Sequence, residues 1–247
     1  MKTAIPPAFH LKSPETGTDY HLYVETPDAV DSNQPIPAIL FMDGDDQFSY
    51  AVAAYRKLRA TASVPPLLLV GVGYGASYMK PANKRMRDYT PTAMAGEPGT
   101  GAADGFLRFL QNTLWPELAR RYPLSHDTRG IAGHSLGSLL ALHALFRPKR
   151  FFNRALISSP SIWFDGRSIL RLAEKLRERQ ATLPARAHLS VGELDTPSMT
   201  GDLDRLEQQL TARPFAELAL TIRRFPGLDH YNVLPAAFGE GMKTLFG

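Results

Sequence analysis

The pentapeptide Gly133-His134-Ser135-Leu136-Gly137 carries more potential chemistry than any other stretch of this chain. A short apolar run, Arg129–Ala132, precedes it, and a run of helical character, Ser138–Phe146, follows it. A serine at the tip of so sharp a strand-to-helix turn is forced into a strained backbone conformation and stands clear of the sheet. Glycines two residues to either side remove the Cβ atoms that would clash where strand and helix close on one another. The turn also places Ser135 at a helix N-terminus, where unpaired N–H groups and the helix dipole favour a developing negative charge. These residue types at this spacing suit a nucleophile that attacks an acyl carbon.

A serine hydroxyl needs a base, and the base needs an orienting acid. The chain has no cysteine, which excludes a thiol nucleophile, disulfides and thiolate metal sites together, and it has seven histidines. His134 neighbours the nucleophile and is expected to point away from it. His143 belongs to the following helix, His188 to an apolar strand, His126 to the loop before the elbow, and His10 and His21 to an N-terminal hairpin. Only His230 follows the last strand, in the turn Pro226–His230, at the sheet edge where Ser135 should emerge. For the acid, Gly192-Glu193-Leu194-Asp195-Thr196 offers two carboxylates in the right chain order. Asp195 lies deeper in the turn and is preferred, with Glu193 second and Asp165 an outside candidate. Asp202 and Asp204 are expected at the start of the next helix, where acids meet the N-terminal dipole. The oxyanion calls for two main-chain donors, expected to be the N–H of Leu136 and that of Asp45, with Gly44 letting the second turn close.

The elements that must position these groups alternate along the chain. Apolar runs at Ala38–Met42, Leu67–Val72, Ala155–Ser158, His188–Val191 and Leu218–Phe225 read as buried strands. Helical segments separate them, including Phe48–Arg59, Ala103–Arg121 (interrupted near Pro116), Arg167–Arg179, Leu203–Ala212 and Pro235–Leu245. Ala8–Lys12 and Tyr20–Glu25 form an opening antiparallel hairpin. The expectation is an α/β fold: a mostly parallel, doubly wound sheet with helices on both faces, in a single domain spanning 1–247. The aperiodic stretch 74–100 leaves the carboxyl end of a buried strand and is expected to form a lid or pocket wall. Its Lys80, Lys84, Arg85 and Arg87 would suit an anionic substrate, with Arg85 and Arg87 the candidate contacts.

Composition narrows the function classes. The 247 residues are 44% hydrophobic and 21% charged, ordinary for a globular domain. A formal charge of +4, scattered over amphipathic helices, describes solvated faces rather than a nucleic-acid groove. Met1–Pro7 lacks the apolar core of a leader and no run approaches membrane length, which predicts a soluble cytoplasmic protein without a membrane partner, or a periplasmic one if a leader has been removed. The chemistry calls for no cofactor and no metal, and the expected partner is a small-molecule ester.

Several motifs in order resemble one family. Leu40-Phe41-Met42-Asp43-Gly44-Asp45, Arg87-Asp88-Tyr89-Thr90-Pro91, Gly105–Leu110, Gly133–Gly137 and Ser159-Pro160-Ser161-Ile162-Trp163 resemble segments of the esterase D-like family of α/β-hydrolases. The second and last are most similar to its siderophore trilactone esterase branch. The resemblance implies the α/β-hydrolase fold, a serine esterase working through an acyl-enzyme, Asp195 as the acid and Asp45 as the second oxyanion donor. Trp163, in the last motif, is a candidate substrate contact. Some members of the branch work with a serine–histidine dyad, so triad and dyad both stay open. Ser138 replaces a second glycine found in many members, with little effect expected. A trilactone or catecholate ester is the first substrate expectation. A general short-acyl or aryl carboxylesterase, an acyltransferase and a non-catalytic binding protein are the alternatives.

Overall fold

The computed structural model describes residues 5–27 and 34–247. Eight strands form one sheet: β1 (Phe9–Lys12), β2 (Asp19–Glu25), β3 (Ile36–Phe41), β4 (Leu68–Gly73), β5 (Leu124–His134), β6 (Arg154–Ser158), β7 (Thr182–Gly192) and β8 (Ala216–Phe225). Their spatial order is β1-β2-β4-β3-β5-β6-β7-β8. β1 and β2 pair antiparallel, β2 pairs antiparallel with β4, and every later neighbour is parallel. The hairpin and the parallel sheet thus follow the pattern expected from the strand–helix alternation.

Period-two alternation explains why β3 is apolar throughout. Leu40 faces one core with Val70, Ile131, Ile157 and Leu189. Ile39 and Phe41 face the other with Leu69, Ala132 and Leu156. Helices α1 (Gly44–Ala60) and α8 (Leu234–Phe246) cover that second face through Phe48, Tyr55, Phe238 and Met242. The first face lies under α3 (Ala103–Phe109), α4 (Trp115–Arg121), α5 (Leu136–Leu145), α6 (Phe164–Arg179) and α7 (Pro197–Ala212). The short helix α2 (Arg85–Asp88) lies within the 74–100 stretch. No helix of the described residues is long and apolar enough to cross a membrane.

Element limits depart from the sequence expectation for physical reasons. β5 and β7 each run eleven residues, because their amino-terminal halves alternate or are polar and extend past the covered sheet. His126 therefore lies in β5 rather than in a loop. Helix α7 starts at Pro197, a residue pre-set for a first helical position, so Asp202 and Asp204 lie well inside it. The break in the 103–121 stretch is a π-turn at Leu110–Leu114, ahead of Pro116. Widening the helix there removes the clash of the proline ring with the carbonyl four residues back. In α6, Asp165, Gly166 and Arg167 have φ of 45°, 56° and 62°, so regular helix begins only after Arg167.

Candidate active site

β4 lies on one side of β3 and β5 on the other, so the chain reverses its direction across the sheet at β3 and opens a crevice at the carboxyl ends of β3 and β5. Ser135 stands at that end of β5 with φ 56° and ψ −119°, a conformation L-residues rarely adopt. A Cβ on Gly133 would lie 2.2 Å from the Gly137 carbonyl carbon, so only glycine permits the helix to turn back so closely. The first N–H groups of the α5 ladder, those of Ser138 and Leu139, return to the Ser135 carbonyl. Leu136 and Gly137 precede the ladder, and their N–H groups are the unpaired donors of a helix start.

His230 and Asp195 come together at the same sheet edge. His230 Nδ1 lies 2.9 Å from Asp195 Oδ2, and Asp195 Oδ1 accepts the Thr196 N–H at 2.7 Å. Glu193 is exposed, so Asp195 is the carboxylate of this turn that meets the imidazole. A Cβ on Gly192 would lie 2.2 Å from the Leu228 carbonyl oxygen, which is how tightly the turns carrying the two residues approach. Burial pushes the Asp195 carboxyl up, but the His230 imidazole, the Ser159 hydroxyl and the Thr196 N–H together hold it below the usual range. Asp165 is engaged elsewhere, accepting the Thr92 hydroxyl at 2.7 Å. Asp202 is paired with Arg167 and Arg205.

His134, expected to point away from Ser135, packs against the candidate base. Its ring centroid lies 4.5 Å from that of His230, at an interplanar angle of 49°. His134 is 3% exposed, its Nδ1 lies 3.1 Å from Ser158 Oγ, and burial pushes its pKa down to about 3. Ser138, too, does more than occupy a helical turn: its buried hydroxyl lies 2.6 Å from the Gly133 carbonyl and accepts the Ser158 N–H at 2.8 Å. It stitches the ends of β5 and β6 together beneath the elbow.

The turn after β3 is held as firmly. A Cβ on Gly137 would lie 3.0 Å from Met42 Cβ, so this turn packs directly against the start of α5. Asp46 and Gln47 N–H groups return to the Asp43 carbonyl, which leaves those of Gly44 and Asp45 ahead of the α1 ladder. The stretch after β4 grips this turn through side chains. Asp45 accepts Tyr74 N–H at 2.6 Å, Gly75 N–H at 2.8 Å and Tyr23 O–H at 2.6 Å. Asp46 accepts the Ser77 hydroxyl, and the Gln47 amide donates to Tyr78. Asp43, buried with φ 55°, is bound by Arg85 at 2.8 and 3.0 Å, and its N–H donates to Tyr89 O–H. Burial pushes the Asp43 carboxyl up against the pull of Arg85, while Asp43 keeps Arg85 charged despite its own burial.

The candidate substrate contacts separate accordingly. Arg85 lies by the crevice, but its guanidinium is committed to Asp43 and stacks on Tyr78. Arg87 is not brought to this group; it bonds Asp88 and Thr18 near the hairpin. Trp163 is 41% exposed at the start of α6, just past β6. Two serines of the same motif escaped the sequence reading. Ser161 Oγ lies 3.5 Å from Ser135 Oγ, and Ser159, at φ 44°, faces Asp195. Their i, i+2 spacing after a strand aligned with the elbow was the available signal. Among the described residues, no group of three or more His, Asp or Glu side chains could hold a metal ion.

The strand order, the antiparallel second strand and a serine elbow at the reversal point define an α/β-hydrolase. More narrowly, the chain belongs to the "Putative esterase" family, whose model matches residues 13–236. A siderophore triacetylfusarinine C esterase of Aspergillus fumigatus is 35% identical over 69% of this chain; the match spans 60% of that protein's length. The ferri-bacillibactin esterase BesA of Bacillus subtilis is 26% identical over 94% of this chain and 86% of its own. The crystal structure of the BES protein from Bacillus cereus superposes with a TM-score of 0.88 and 26% identity, covering 100% of this chain and 97% of that one.

Proposed function

We propose that this protein is a serine esterase that cleaves siderophore-type esters through an acyl-enzyme formed on Ser135. The reading is carried by one observation: a strained serine elbow shares a sheet edge with a 2.9 Å His230–Asp195 pair. His230 Nε2 takes the hydroxyl proton as Ser135 Oγ bonds to the ester carbonyl carbon, and the carbonyl oxygen becomes an oxyanion. Leu136 and Asp45 N–H groups stabilise that charge; losing one such donor typically lowers the rate about 10²–10³-fold. The C–O bond to the alcohol breaks, and the imidazolium returns the proton to the leaving alkoxide. Water, deprotonated by the same imidazole, attacks the acyl carbon; the bond to Ser135 Oγ breaks, the imidazolium returns its proton to Oγ, and the carboxylic acid leaves. Asp195 fixes the imidazole tautomer and balances its charge.

The substrate class rests on the relatives, two of which are named for esters of different siderophores. Labelling by a fluorophosphonate probe tests the reaction: Ser135 labels in the native protein and Ser135→Ala does not. Turnover of siderophore esters faster than p-nitrophenyl acetate tests the substrate class. Folded protein that takes up no probe sinks the nucleophile assignment.

A further inference from the structure

A single hydrogen bond fixes where an imidazole nitrogen sits but leaves the ring free to turn about that bond. His230 Nδ1 is fixed on Asp195 Oδ2, and its side chain remains 20% exposed. Two aromatic rings contact it. Tyr231, its chain neighbour, meets it edge-on at 5.3 Å but is 78% exposed. His134 meets it at 4.5 Å from a buried position. That ring is tethered in turn: Nδ1 reaches Ser158 Oγ, and Ser158 N–H is anchored on Ser138 Oγ. Strand β5 thereby delivers two side chains to the centre, Ser135 at its tip and the His134 ring one residue earlier.

We infer that His134 is a positioning residue, an aromatic wall that holds the His230 imidazole in plane for proton transfer with Ser135. The inference rests on the assignment of Ser135 and His230 made above. Neutrality is part of the role, because a second cation at this distance would oppose protonation of His230. The charged groups that face His134 are Asp195 from the turn after β7, Arg85 from α2, and His230 itself when protonated. Asp195 favours a proton on His134 while the other two oppose it, and desolvation outweighs them all. Its Nε2 is buried beside the His230 main chain, short of a full hydrogen bond, so the ring acts chiefly through its face and its tether.

The test compares His134→Ala, His134→Phe and Ser158→Ala on p-nitrophenyl acetate, with kcat, KM and the pH profile measured separately. His134→Ala should lower kcat by about 10–100-fold, the size of a small misplacement of a reacting group, with KM within about threefold. His134→Phe restores a ring that cannot ionise and should recover most of that loss, with a pH profile parallel to the native one. Ser158→Ala keeps the ring and releases its tether, so kcat should fall by roughly threefold to tenfold. The inference is overturned if His134→Ala keeps kcat within about twofold, or if Phe is no better than Ala at equal melting temperature. Should His134→Ala fail to fold, an unchanged kcat in Ser158→Ala overturns it. Fluorophosphonate labelling separates the two claims. A native protein that does not label defeats the Ser135 assignment, whereas equal labelling rates in native protein and His134→Ala defeat only the positioning role.

Discussion

Ser135 shows at the scale of one residue how a local backbone cost becomes chemistry. Its positive φ is tolerated because Gly133 and Gly137 leave no Cβ in the way, and both glycines were plain in the sequence. Asp195 is the residue whose role most needs measurement, since a dyad would dispense with it. Its hydrogen bonds to His230 and Thr196 predict that Asp195→Asn lowers kcat by about 10²–10⁴-fold by leaving the imidazole in the wrong tautomer. A kcat within about tenfold of native would favour the serine–histidine dyad instead. The elbow, His230 and Asp195 were legible because chain order and turn residues mark them. Ser161, Ser159 and the contact of His134 with His230 were not, because short polar side chains and a ring-to-ring contact declare themselves only once neighbouring strands fix the register.

At the scale of elements, the stretch after β4, expected to form a lid or pocket wall, makes its side-chain bonds to the turn after β3 and lines a pocket with it through Gly75, Ala76 and Ser77. Tyr74, Gly75, Ser77, Tyr78, Arg85 and Tyr89 all bond residues 43–47, so the segment braces the turn that would supply the second oxyanion donor. The sequence showed an aperiodic loop with four basic residues, and nothing in its composition tells a brace from a cover. Partners distant in sequence decide that, as Asp43 decides it for Arg85. Arg85→Met should therefore act through stability. It strands a carboxylate that is 1% exposed, and losing one partner of a buried pair costs about 3–5 kcal/mol. Adding Asp43→Asn should recover more than half of that loss in urea unfolding. An Arg85→Met protein of native stability but raised KM for an anionic ester would instead make Arg85 a substrate contact.

Over the whole molecule, the sheet is apolar enough that its layering could be read from alternating runs, and the polar groups inside it are what that reading could not place. His188 sits in the middle of β7, fully buried, with neither ring nitrogen hydrogen-bonded. It faces α8, where a Cβ on Gly241 would lie 3.3 Å from its ring. Desolvation pushes its pKa down to about 4, with Arg223 adding to that shift and Glu240 opposing it. In the unfolded chain the imidazole regains its ordinary value of about 6.5. Between those two values the unfolded state binds more protons than the native one, so stability is intact above the higher value and falls as the pH approaches the lower. His134 acts with the same sign. His188→Leu removes one of the two contributions and should flatten the acid side of the stability curve. From pH 7.5 to pH 4.5, urea titrations should show the native protein losing about 2–3 kcal/mol more than the variant, as a shift of that size requires. Equal losses would mean that His188 reaches water or a partner before the chain unfolds, and the acid sensitivity of the fold would then belong to His134 and the surface carboxylates.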